Sequence, residues 1–238
     1  MQIVAVPAFT DNYIWLVRDE QSGQTAVVDP GDAVPALAEA ARRGWAIDQV
    51  WNTHWHPDHT GGNLAIKEAA GARISGPSGD RIPGRDVTLR EGDEVHLGSH
   101  AGRAIEVPGH TLDHVAIIFD EERIAFVGDT LFAMGCGRLF EGTPQQMHAS
   151  LQRLAELPED TKLYCAHEYT LANARFAAHA DADNPRIAAR LAEIQRLHDG
   201  GAITLPTTVA QERETNPFVR ASNWQEFARL RSEKDSFR

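Results

Sequence analysis

Residues 53–62 read Thr-His-Trp-His-Pro-Asp-His-Thr-Gly-Gly, which places three histidines and an aspartate within six positions. Polar side chains at this density are costly to bury without partners, so the segment calls for a fold that gathers them for a purpose. It directly follows a predicted strand at 47–53 and precedes a predicted helix at 64–70 that Gly71 closes. His54 and His56 are two apart, so in extended backbone their imidazoles leave on the same side and can grip one ion. Asp58 and His59 are adjacent and can reach a second ion. Gly61 and Gly62 are expected to let the chain turn tightly into the helix.

Three further candidates hold the same kind of position. His110 follows a predicted strand at 104–107, Asp129 one at 123–127, and His167 one at 162–165. Each lies just past the carboxyl end of an apolar strand, where α/β folds gather active sites. Together with His54, His56, Asp58 and His59 they make five imidazoles and two carboxylates. That donor set suits zinc, iron or manganese rather than calcium or copper(I). It is too large for one tetrahedral ion. Divided between two ions, it gives three terminal ligands each and one bridging carboxylate, with positions left for water as in a catalytic site.

Up to about residue 167 the chain alternates strand-like and helix-like segments. Strands are predicted at 3–6, 13–17, 25–28, 73–75, 86–89 and 94–97, and a helix at 34–43 is stopped by Gly44. Segments 115–119 and 123–127 form a hairpin through Asp120, Glu121 and Glu122, and an amphipathic helix covers 145–156. Beyond 167 helices predominate, at 171–180, 185–198 and 224–233, with 203–205 as the remaining strand candidate. The middle one is opened by Asn184 as N-cap and Pro185 at the first helical position. This predicts an α+β protein, with a mixed domain at 1–167 and a small helical domain at 168–238.

No apolar run reaches the roughly 18 residues of a membrane span, so no membrane partner is expected. The N-terminus lacks a basic-then-apolar export signal, and Cys136 and Cys165 make no disulfide framework. Both point to a cytoplasmic location, and a monomer is the expected state. The net charge of −11 argues against nucleic acid as a partner. It would also repel an anionic substrate, unless the site carries a local positive patch.

The run from Thr53 to Gly62 resembles the metal-binding motif of the metallo-β-lactamase superfamily. The whole chain resembles one family within it, glyoxalase II (hydroxyacylglutathione hydrolase). The matching pieces are Asp11-Asn12-Tyr13, Val28-Asp29-Pro30-Gly31, Gly128-Asp129-Thr130-Leu131-Phe132, Gly135-Cys136-Gly137-Arg138, Glu141-Gly142-Thr143, His167-Glu168-Tyr169-Thr170, Asn216-Pro217-Phe218 and Arg231-Ser232-Glu233-Lys234-Asp235. The resemblance implies an αββα sandwich with a helical C-terminal domain, and hydrolysis of S-D-lactoylglutathione and related thioesters in methylglyoxal detoxification. It implies two divalent ions, zinc foremost with iron or manganese as alternatives. His54, His56 and His110 would hold the first ion, Asp58, His59 and His167 the second, and Asp129 both. Asp58 and Asp129 count as the catalytic carboxylates, and Asp29 stands behind the ligands to orient one of them or the water.

By the same resemblance a hydroxide bridging the two ions attacks the thioester carbonyl. The thiolate leaving group, whose conjugate acid has a pKa of about 8.5, needs no general acid. Arg138, Phe140, Tyr169, Arg231 and Lys234 are the implied glutathione-binding positions. The commoner family pattern has Lys at 138 and Tyr at 140. Arg138 keeps the charge, whereas Phe140 gives up a hydroxyl. Arg231 and Lys234, three apart in a predicted helix, are expected to share a face.

Other residues receive plainer readings. His96, His100, His148, His179 and His198 are read as structural, as is His114 at a strand start. Cys136 is read as a small residue of a Gly-rich loop, Cys165 as a buried strand residue, and Trp15, Trp45, Trp51, Trp55 and Trp224 as packing. A lactonase or phosphodiesterase on the same fold, a mononuclear iron persulfide dioxygenase and a zinc-stabilised module without activity are the competing readings. A substrate panel and the metal stoichiometry discriminate them.

Overall fold

Val-, Ile- and Trp-rich stretches near the N-terminus pair with one another in chain order. The computed structural model describes residues 1–237, in two compact units: Met1–Glu106 with Asp113–Gly128, and Val107–Leu112 with Asp129 onward.

In the first unit, β1 (Gln2–Ala8), β2 (Asn12–Arg18) and β3 (Thr25–Val28) are antiparallel, β1 and β2 being in register from Gln2↔Arg18 to Ala8↔Asn12. Helix α1 (Ala33–Arg43) leads to β4 (Gln49–Trp51); α2 (Pro57–Thr60) and α3 (Asn63–Ala70) lead to β5 (Arg73–Pro77), followed by β6 (Val87–Leu89). Strands β3 to β6 are parallel, which completes a sheet in sequence order. Gly44 ends α1 in the left-handed region (φ 69°), as expected of a C-cap glycine. Strands β7 (Glu94–Leu97), β8 (His100–Glu106), β9 (Val115–Phe119) and β10 (Ile124–Gly128) form an antiparallel meander. The expected hairpin is there, with Ile124 opposite Phe119. Strand β8 starts earlier than predicted, because pairing with β7 recruits Gly102 opposite Val95.

Alternation along β4 explains the layering. Val50 packs with Val27, Ile74, Ala36, Ala40 and Ile66, which covers one sheet face with helices. Trp51 points the other way, its ring 5.6 Å from Phe119 and 6.4 Å from Phe126 of the meander. Sheets covered on both faces read as continuous apolar runs, and every residue of β3, β9 and β10 is buried.

The second unit opens with the short pair β11 (Leu131–Phe132) and β12 (Gly135–Cys136). Helix α4 (Pro144–Ala155) carries a Thr143/Gln146 capping box. Strand β13 (Lys162–Cys165) precedes α5 (Thr170–Ala180) and α6 (Pro185–Asp199), whose Asn184 side chain caps Arg186 N. The strand expected at 203–205 lies instead at β14 (Thr207–Thr208), where Thr207 meets Leu163 of β13. Two short helices were not foreseen, α7 (Val209–Thr215) and α8 (Pro217–Arg220). Their signals are local: Thr208 and Gln211 form a capping box, and Asn216 precedes Pro217. Helix α9 (Trp224–Ser236) ends the described chain. Trp224 is 39% exposed at its first turn, which corrects the packing role expected of it.

Phe218 stands between Phe176 and Phe227, at 5.7 and 5.8 Å, in the core of this unit. Beside it runs a buried polar network. Glu212 Oε1 pairs with Arg190 Nη2 at 2.7 Å, and Oε2 accepts from Met134 N and Asn216 Nδ2, each at 2.8 Å. Asn216 Nδ2 also donates to Gly135 O at 2.9 Å, so α7 holds the β11–β12 loop in place. Among the described residues no helix is long and apolar enough to cross a membrane.

Candidate metal centre and substrate cavity

Asp29 organises the first cluster. It follows β3 in the left-handed region (φ 50°), a conformation that costs a non-glycine residue roughly 1–2 kcal/mol. Its contacts hold it there: the carboxylate accepts from Thr53 N at 2.8 Å and Thr53 Oγ1 at 2.7 Å, and faces His59 Nδ1 at 3.2 Å. The Thr53 hydroxyl hydrogen is committed to Asp29, so its oxygen accepts from His54 Nδ1 at 3.1 Å. That leaves the lone pair of His54 on Nε2. His54 Nε2 and His56 Nδ1 converge to 3.0 Å, as their spacing predicts. His59 Nε2 lies 3.5 Å from Asp58 Oδ2, and the His54 and His59 rings are 4.0 Å apart.

Gly61 and Gly62 serve differently from the expectation. Both have ordinary helical φ, −60° and −83°. A Cβ on Gly61 would lie 2.5 Å from Gly31 O, and one on Gly62 2.6 Å from Pro30 O. Glycine is needed for this close approach, not for a left-handed turn.

Asp129 organises the second cluster. Its Oδ2 stands 3.5 Å from His110 Nε2 and 3.4 Å from His167 Nε2. His110 Nδ1 donates to Arg138 O at 2.9 Å, which again places the ring's lone pair on Nε2. Tyr169 stacks on the His167 ring at 4.8 Å and 4°, and Phe132 meets that ring edge-on at 5.8 Å. All three Asp129-cluster residues are buried. Among the described residues, the side chains grouped closely enough to hold a metal ion are the seven singled out from the sequence.

His110 and Asp129 also line a cavity of about 480 Å³, within the range of small-molecule sites. Arg138, Phe140, Tyr169, Arg231 and Lys234 all lie on its wall, with Asn173, Asp235 and Phe237 beside them. Three cations thus gather at one cavity of an acidic protein. Burial, and then the neighbouring Arg231 and Arg138 charges, pull the Lys234 ammonium below its ordinary pKa. Arg231 lies on the cavity wall, where the resemblance implied it. Arg231 is buried, donates to Cys136 O and Asp235 Oδ1 at 2.9 Å each, and lies over the Phe218 ring. Lys234 donates to Ala172 O at 3.1 Å. Asp235 was not singled out, although its position four residues after Arg231 is the spacing of a helical ion pair.

The model of the metallo-beta-lactamase superfamily matches residues 8–82 and 71–167, and that of the hydroxyacylglutathione hydrolase C-terminus matches 168–237. The hydroxyacylglutathione hydrolase of Pseudomonas putida (strain W619) is 48% identical over the full length of both chains. That of Ectopseudomonas mendocina (strain ymp) is 52% identical over 221 residues, 92% of this chain and 86% of its own.

The chain belongs to the hydroxyacylglutathione hydrolase family.

ETHE1 of Myxococcus xanthus shares the fold at a TM-score of 0.77, with 24% identity over all of this chain and 93% of that one. The expected fold class is therefore observed: a metallo-β-lactamase fold of α+β type with a helical C-terminal part. The superfamily and the His/Asp clusters make the chain a divalent-metal protein.

In this family setting the remaining residues fall into place. Burial pushes the Cys136 thiol up to about 11, so it is protonated at neutral pH and no nucleophile. Cys165 is likewise raised by burial. His114 is buried and stacks on His54 at 4.7 Å, which supports the ring from behind.

Proposed function

We propose that the chain hydrolyses glutathione thioesters, S-D-lactoylglutathione foremost, to glutathione and the hydroxy acid. One observation carries this reading: the cavity that gathers Arg138, Arg231 and Lys234 is lined also by His110 and Asp129. A substrate anchored there by its carboxylates presents its thioester to the metal-ligand residues.

His54, His56 and His110 would hold one ion and Asp58, His59 and His167 the other, with Asp129 as the carboxylate that would serve both. The lone pairs placed on His54 Nε2 and His110 Nε2, and the two imidazole nitrogens facing Asp129 Oδ2, support this set. Zinc is the expected metal, since imidazole and carboxylate suit it. Such ions, when bound, supply a water acidic enough to act as hydroxide near neutral pH and a charge that steadies the oxyanion.

The chain's own residues do the rest. Asp29 holds His59 and, through Thr53, His54; Arg138 O fixes His110. Lys234 and Arg138 attract the substrate carboxylates, and Arg231 fixes the backbone at Cys136. Phe140, 63% exposed, offers an apolar face where a tyrosine would add a hydroxyl. No general acid is required, because a thiolate leaves unprotonated. Two free cysteines, both buried, support a cytoplasmic location.

The deciding experiment assays turnover of S-D-lactoylglutathione beside a lactone, a phosphodiester and a thioester lacking the peptide, with metal content measured on the same sample. Rapid turnover of the glutathione thioester with about two metals per chain is expected. Removal by chelator should abolish activity, and His59→Ala should bring the content near one. A preference for the lactone or phosphodiester would sink the substrate reading, and one metal per chain in the parent would sink the binuclear one.

Lys234→Ala should raise KM for the glutathione substrate about tenfold to a hundredfold, the worth of one charge-assisted hydrogen bond, with little change in kcat. Arg231→Ala should raise KM and lower the thermal midpoint as well, because its guanidinium is buried and bonded to Cys136 O. Unchanged KM in Lys234→Ala would remove that residue from the binding set.

A further inference from the structure

Asn12 is a polar residue in an otherwise apolar strand position. It opens β2 opposite Ala8, after a turn in which Phe9 takes φ 51°. Asparagine is disfavoured in strands, and this one is only 7% exposed. Its amide is satisfied across 46 residues of chain: Nδ2 lies 3.1 Å from Asp58 Oδ2 and 3.4 Å from Asp58 O. The same Oδ2 faces His59 Nε2 at 3.5 Å.

Asp58 needs such a partner. The His59 side chain has no exposed surface, whereas 42% of the Asp58 side chain is exposed. The packed imidazole cannot turn away, but the carboxylate can rotate into water. We propose that Asn12 is a positioning residue for the second metal. Its amide bonds both to Asp58 Oδ2 and to the main-chain carbonyl of the same residue, which holds the carboxylate in the rotamer that faces His59 Nε2. The inference rests on the binuclear reading above.

The test is a titration of metal-free protein with Zn²⁺ against a competing chelating dye, which yields two stepwise constants. The thermal midpoint of the metal-free protein is measured alongside. In Asn12→Ala the first constant should stay within about twofold of the parent, and the second should weaken roughly tenfold to a hundredfold. Asn12→Leu keeps the branched shape of the side chain without the donor and should behave alike, with its metal-free midpoint showing that the fold is kept. A second constant equal to the parent's overturns the assignment. So does equal weakening of both constants together with a lower midpoint, the mark of a purely structural role. A parent that binds one ion overturns the binuclear reading itself; a parent with two ions and an unaltered variant overturns only the role of Asn12.

Discussion

Asp129→Ala should lower kcat by about 10²–10³-fold while KM stays within a few-fold of the parent value. The asymmetry follows from where the carboxylate sits. Its Oδ2 is 3.5 Å from His110 Nε2 and 3.4 Å from His167 Nε2, so one oxygen serves two imidazole nitrogens. Alanine leaves both rings in place, since Arg138 O holds one and Tyr169 stacks on the other. On the proposed assignment, what is lost is the carboxylate that would serve both ions. The cations of the cavity are untouched, so substrate should still bind. Asp129→Asn, which keeps the shape and loses the charge, should fall between. Steady-state kinetics on metal-saturated protein decide it: a kcat within threefold of the parent would mean that the shared ligand is another residue.

Glu212→Ala should destabilise the protein by about 3–5 kcal/mol, the usual cost of breaking a buried ion pair on one side. The Glu212 side chain is 1% exposed and that of Arg190 10%, so alanine strands a guanidinium in the interior. It also removes the acceptor of Met134 N and one of the acceptors of Asn216 Nδ2. Met134 takes φ 57° and depends on such contacts to stay there. For a chain of this length the thermal midpoint should fall by roughly 10 °C. Glu212→Gln keeps an acceptor and should lose less. Arg190→Met added to Glu212→Leu should recover part of the loss, since no charge then lacks a partner. Turnover should decline as well, because the loop tethered by Glu212 and Asn216 carries Phe132 and Cys136 of the cavity wall. Thermal unfolding of the metal-free protein isolates the stability effect, and a midpoint within 3 °C of the parent would contradict it.

The metal-ligand candidates were legible in the sequence because they obey local rules. His54 and His56 are paired by strand periodicity, and His110, Asp129 and His167 each come just after an apolar strand. The helix ends at Gly44 and Asn184 were likewise legible, since caps depend on neighbouring backbone alone. The cavity residues Arg231 and Lys234 came only through family resemblance, for a cation on a helix is by default a solvated one.

Tertiary structure decided what spacing cannot carry. The buried state of Arg231 depends on Cys136 lying 95 residues away, and the clamp on Asp58 depends on Asn12 lying 46 residues away. It also supplied the true reason for Gly61 and Gly62, a close approach to the Pro30 and Gly31 carbonyls with no unusual φ. The division has one physical cause. Periodicity and capping are short-range consequences of backbone geometry and are written within a few residues. Burial, close approach and the choice of a hydrogen-bond partner arise only when distant segments meet.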